Sequence, residues 1–111
     1  MNSAETLKLN KDFKRLYYRG ESVVTRSVVL YVQKNRLGTN RLGLTCGKSV
    51  GKANKRNRAK RLMRESYRLI HPNLLAGYDI VIIARTRIVD KNCHDVMRDV
   101  HYAFSKLGMI K

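Results

Sequence analysis

The stretch YDIVIIAR (78–85) is apolar on both of its alternations, Ile80 and Ile82 on one, Val81 and Ile83 on the other. A strand of that kind needs cover on both faces, which predicts the inside of a sheet with other elements packed above and below it. Its apolar centre IVIIA is far too short to span a bilayer. Two further strands are expected. SVVLYVQ (27–33) alternates Val28, Leu30 and Val32 against Val29, Tyr31 and Gln33, and RLGLTC (41–46) repeats the pattern with Leu42, Leu44 and Cys46. The link KNRLGTN has hairpin-loop composition, so these two strands are predicted to be antiparallel neighbours. A further short strand is expected near ESVVT.

Three helices fit around them. NKDFKRLYYRG reads as a short helix with Asn10 as N-cap, Phe13, Leu16 and Tyr17 on one face, and Gly20 as the stop. A second runs from about Asn54–Asn57 to Ile70, where His71-Pro72 ends it because proline cannot continue the ladder. A third, over about 92–107, puts Val96, Val100, Ala103, Phe104 and Leu107 on one face. The 111 residues contain no repeat and no linker-like stretch. The expectation is therefore a single domain, an α+β fold built as a small two-layer α/β sandwich of about four strands and three helices.

Charge sets the class of partner. The chain carries 24 Lys and Arg against 8 Asp and Glu, a formal net charge of +16. Such a field attracts polyanions, and nucleic acid is the usual one for a basic domain. Eight of the cations lie in VGKANKRNRAKRLMRESYR (50–68), with Glu65 as the only acid. On a helical wheel Ala59, Leu62, Met63, Ser66, Leu69 and Ile70 make one apolar stripe. Asn57, Arg61, Arg64 and Arg68 make the opposite one, with Arg58 and Lys60 beside it. Guanidinium forks suit bidentate phosphate binding. Cations in the first helical turn oppose the helix dipole, a cost that a bound anion offsets. The bland reading is a solvated charged face. A membrane-surface helix is disfavoured, because the apolar stripe lacks the Trp or Phe of interfacial helices and is needed for the core.

Phe13 and Tyr17 lie one helical turn apart, and Tyr31 faces away from Val28, Leu30 and Val32. The three rings can line a groove with Lys14, Arg15 and Arg19 near its rim, suited to stacking single-stranded bases. Equally, Phe13 and Leu16 can be core. No catalytic constellation stands out. Asp95 and Asp99 share a helical face, but pairing with Arg98 or Lys91 explains them. His94 and His101 lie about 10 Å apart by helical rise, too far to share a metal unaided. Cys46 and Cys93 form no zinc or CxxC spacing, and Cys46 reads as a small buried hydrophobe. The opening MNSAETLKLNKDF has no signal-type apolar core. A binder working in a reducing cytoplasm is expected.

These residues have a family likeness. NKRNRAKRLMRE resembles the Arg-Asn-Arg signature helix of the bacterial ribonuclease P protein component. RLGLTCGKSVGKA resembles that family's strand and glycine-containing loop, DFKRLYYRG its N-terminal helix, and YDIVIIAR its following strand. The resemblance implies a subunit of a ribonucleoprotein that removes the 5′ leader of precursor tRNA. The RNA subunit would carry out the hydrolysis with Mg²⁺, and the protein itself would hold no cofactor. It further implies that Lys52, Arg56, Asn57, Arg58, Lys60, Arg61, Arg64 and Arg68 contact the ribonuclease P RNA. Phe13, Tyr17 and Tyr31 would take the single-stranded leader. The implied strand–helix–strand crossover around the signature helix is left-handed, against the general right-handed rule. Cys46 stands where the family tends to carry an aliphatic residue. From charge alone, a general RNA-binding or ribosome-associated protein fits as well.

Overall fold

The strand that is apolar on both faces takes the middle of the sheet. The computed structural model describes residues 5–7 and 10–111. Along the chain it runs β1 (Glu5–Thr6), α1 (Asn10–Arg19), β2 (Glu21–Val24), β3 (Val28–Lys34), β4 (Arg41–Thr45), α2 (Ala53–Ile70), β5 (Tyr78–Ala84) and α3 (Cys93–Lys106). The sheet order is β1-β4-β5-β3-β2. β5 pairs antiparallel with β3, Tyr31 opposite Val81, and parallel with β4, Gly43 opposite Val81.

This order corrects the hairpin expected between β3 and β4. The two strands do run in opposite directions, but β5 lies between them. β5 is apolar on both faces along its whole centre, Ile80 and Ile82 on one and Val81 and Ile83 on the other, and it takes the central place, so the link 35–40 must step across its end. That link is built for the task. Arg36 adopts φ 65°, the Asn35 side-chain amide donates to the Thr39 carbonyl (3.0 Å), and its oxygen accepts from the Leu37 amide (2.8 Å). The short strand expected near ESVVT is β2, antiparallel to β3. β1, too short to leave a pattern in the sequence, pairs parallel with β4.

One face of the sheet packs on α2 and α3, and these are the two main layers. Val28, Leu30 and Val32 of β3 and Ile80, Ile82 and Ala84 of β5 meet Ala59, Met63, Tyr67 and Ile70 of α2 and Val96, Val100, Ala103 and Phe104 of α3. Burying side chains of this size stabilises by about 1.5–3 kcal/mol each before entropy is counted. On the other face α1 closes a smaller cluster of Leu7, Leu16 and Val81, with Phe13, Tyr31 and Ile83 against it. So β5 is covered on both sides, as its composition requires.

The wheel for α2 is right except at its edges. Tyr67 is fully buried against Phe104, although the stripe did not include it. Leu69 was placed in the stripe but is 46% exposed. The buried Ser66 hydroxyl donates to the Leu62 carbonyl (2.8 Å), which satisfies it. α3 begins with a full capping box, Asn92 and Asp95 each bonding the other's backbone amide. α2 has no such cap. Lys52 stands at its N-cap without a side-chain bond, and its first turn holds no acid. Gly51 precedes it at φ 145°, where a Cβ would press on the Lys55 side chain. Among the described residues no helix is long and apolar enough to cross a membrane.

Candidate nucleic-acid interface

α2 docks by its apolar face, so its opposite face is held away from the sheet. Asn57, Arg61, Arg64 and Arg68 are all exposed, as are Lys52 and Arg58, while Arg56 and Lys60 are half-buried. Among the described residues Arg61 and Arg64 have no ion pair or hydrogen-bonding side chain, whereas two neighbours are engaged. Arg68 makes a two-point pair with Glu65 (2.5 and 3.1 Å). Hydrogen bonding from Arg68 holds the Glu65 carboxyl below the ordinary range. Arg58 donates to the Lys91 carbonyl (2.7 Å), tying α2 to the turn before α3. The signature row is thus graded: Arg61 and Arg64 are open to a ligand, while Arg58 and Arg68 must give up a contact to bind one.

The three predicted aromatic residues do come together. The Tyr17 ring stands 5.2 Å from that of Tyr31, edge to face, and 6.4 Å from that of Phe13. Phe13 is half-buried and Tyr17 42% exposed, so these two rings wall an open cleft and also rim the core, while half-buried Tyr31 backs Tyr17 from the sheet. The cleft, about 390 Å³, is lined by Asn10, Phe13, Lys14, Tyr17, Leu44 and Thr45. The seat of the Phe13 ring depends on Gly43, where a Cβ would come within 2.7 Å of it. Burial pushes the Tyr17 hydroxyl above its usual pKa, opposed by a hydrogen bond with Thr45.

Lys14, expected at the rim, does line the cleft, whereas Asn10 is expected from sequence only as an N-cap. Their spacing from Phe13 and Tyr17, i, i+3, i+4, i+7, was the available signal. Leu44 and Thr45 carried no signal, because they join the cleft only through strand order. Arg15, expected at the rim, instead turns to the other flank of α1 and bonds Asp12, Gln33 and Asp79.

The two surfaces meet at the end of β4. Cys46, half-buried rather than fully buried, follows Thr45 of the cleft and feels the charges of Lys60 and Arg56 of α2. Burial raises its thiol pKa, and those two cations oppose the rise. The remaining titratable groups are dispersed. Asp95 pairs with Arg98 (3.0 Å) and Asp99 accepts from the Ser27 hydroxyl (2.6 Å). His94 and His101 line a separate groove of about 410 Å³ between the end of α2 and α3. Among the described residues no three or more His, Cys, Asp or Glu gather as metal ligands.

Known proteins resemble this chain in both sequence and fold. The sequence matches the ribonuclease P family over residues 1–108. It is 43% identical to the ribonuclease P protein component of Natranaerobius thermophilus over 99 residues, 89% of this chain and 86% of that one. It is also 43% identical to that of Clostridium botulinum over 104 residues, covering 93% and 94%. The fold superposes on the RNase P protein of Staphylococcus aureus with a TM-score of 0.87 at 31% identity, covering 97% of this chain and 99% of the other. For the Thermotoga maritima RNase P protein the TM-score is 0.79 at 29% identity, covering 88% and 93%. Matched over nearly its whole length in sequence and fold, the chain belongs to the ribonuclease P protein family.

Proposed function

We propose that this protein is the RNA-binding subunit of a cytoplasmic ribonuclease P ribonucleoprotein that matures the 5′ end of tRNA. The exposed row of α2 binds the catalytic RNA through Asn57, Arg61 and Arg64, with half-buried Arg56 and Lys60 beside it, Lys52 at the helix start, and Arg58 and Arg68 joining once they release their contacts. The cleft of Phe13, Tyr17 and Tyr31 receives the single-stranded leader of precursor tRNA, with Lys14 beside it for phosphate. Phosphodiester hydrolysis belongs to the RNA subunit, and Mg²⁺ bound there supplies its electrostatic chemistry. The protein binds and orients, and its excess charge lowers the repulsion between two polyanions.

The observation that carries this reading is the meeting of two surfaces at the end of β4, a basic row in which Arg61 and Arg64 are unpaired, and an aromatic cleft. Folded RNA is bound mostly through phosphates, whereas single strands are bound by stacking, so one protein with both surfaces can hold both at once. The test is cleavage of precursor tRNA by a bacterial ribonuclease P RNA at low Mg²⁺, with and without protein. The expected result is strong stimulation that shrinks when the leader is trimmed to a nucleotide or two, and no cleavage by protein alone. Tight RNA binding without stimulation would instead indicate a general RNA-binding protein. Cleavage by repurified protein alone would place an active site in the chain.

A further inference from the structure

α1 carries two of the three cleft rings, yet its apolar hold on the sheet is only the small cluster around Leu16 and Val81. What fixes its angle lies on its other flank. Residues two apart on a helix point about 200° apart, so Arg15 faces away from Phe13 and Tyr17. Its guanidinium bonds Gln33 of β3 (2.9 Å), Asp12 of α1 (2.7 Å) and Asp79 of β5 (2.5 Å). Asp79 is 1% exposed and also accepts from Arg41 of β4 (2.8 and 2.7 Å) and from the Asn35 amide (2.9 Å). One buried carboxylate therefore ties α1, two strands and the link 35–40 together. It lies one side-chain row along the sheet from Gly43, Val81 and Tyr31.

We infer that Asp79 and Arg15 are positioning residues that hold α1 from behind at the angle that keeps the aromatic cleft open to a single-stranded nucleic acid. The inference rests on the leader reading above and extends it, because neither residue touches the cleft. Asp79 is too buried to meet a ligand. Arg15 acts through the carboxylate, where geometry rather than charge decides the outcome.

Charge provides the test. Asp79→Asn makes the protein more positive and Arg15→Met makes it less so. Simple attraction would tighten RNA binding in the first and weaken it in the second. Positioning predicts that both variants lose affinity in the same direction. Holoenzyme reconstituted with each variant would be titrated with precursor tRNA bearing a long leader and with the same tRNA trimmed to one leader nucleotide. The expected result is a loss of about tenfold for the long leader in each variant and near-unchanged affinity for the trimmed substrate. The double variant should lose no more than the worse single one. Thermal melts establish that the variants are folded. If Asp79→Asn does not fold, Arg15→Lys decides, because it keeps the charge but loses the planar fork, so attraction leaves leader affinity unchanged and positioning lowers it. Variants that keep the wild-type leader preference, or that shift in opposite directions, overturn the inference alone. A wild-type holoenzyme indifferent to the leader overturns the leader reading and the inference with it.

Discussion

Replacing Arg61 and Arg64 with alanine tests the graded row on α2. Both side chains are exposed and free of ion pairs, so their loss should change stability by no more than about 0.5 kcal/mol. Each phosphate contact contributes about 0.7–0.9 to the slope of log affinity against log salt. The double variant should therefore flatten that slope by about 1.4–1.8 if each arginine meets one phosphate. Over a fourfold rise in salt the wild-type protein should then lose about tenfold more affinity than the variant. The structure also ranks the row. Arg68 is held by Glu65 at two points, so Arg68→Ala should flatten the slope by less than about 0.7. Glu65→Gln, which frees Arg68, should steepen it. The assay is filter binding or anisotropy with the catalytic RNA across a salt series, each variant checked by circular dichroism. An unchanged slope in the double variant, or an Arg68→Ala effect as large as its own, would refute the reasoning.

Other perturbations separate the cleft from the helix and the fold. Tyr17→Ala should weaken binding of leader-bearing substrate by about 1–3 kcal/mol, the value of one stacked base, while equal losses for a leaderless substrate would make the ring purely structural. Gly43→Ala places a Cβ 2.7 Å from the Phe13 ring, so the ring must move. Leader affinity should fall while the salt slope for the catalytic RNA stays the same, and an unaffected leader titration would show that the cleft can adjust. Burial alone would raise the Asp79 pKa, but hydrogen bonds from Arg41 and Asn35 and the charges of Arg41 and Arg15 outweigh it and hold the carboxyl below its ordinary 3.8. Between the folded and unfolded pKa values the unfolded chain binds more protons, so this stabilisation is present above about pH 4 and lost as pH falls further. Asp79→Asn should accordingly be less stable than wild type in urea melts near neutral pH, with the gap narrowing as pH falls below about 4. A gap independent of pH would mean that shape, not ionisation, sets the cost.

Local pattern determined a good deal about this protein. The helix of the signature segment, its outward arginine row, the face of α3 and the double burial of β5 all follow from periodicity, which is a property of neighbouring residues. The arginine row was legible because helical spacing alone puts Asn57, Arg61, Arg64 and Arg68 together. The edges of those patterns were not. Tyr67 and Leu69 sit on opposite borders of the α2 stripe, and which one is buried depends on where α3 packs, with Phe104 against one and the His94 groove beside the other. Strand order was decided only by the tertiary structure, because backbone hydrogen bonds join β5 to β3 and to β4 whatever the loop between those two suggests. The cleft is the clearest case. Phe13 and Tyr17 announce themselves by spacing, but Tyr31, Gly43, Leu44 and Thr45 join them only because β5 brings β3 and β4 onto one sheet beneath α1. The same crossing turned Arg15 from an expected rim cation into the partner of a buried carboxylate 64 residues away. Spacing along a chain reports which residues share a face, whereas only packing reports what that face meets.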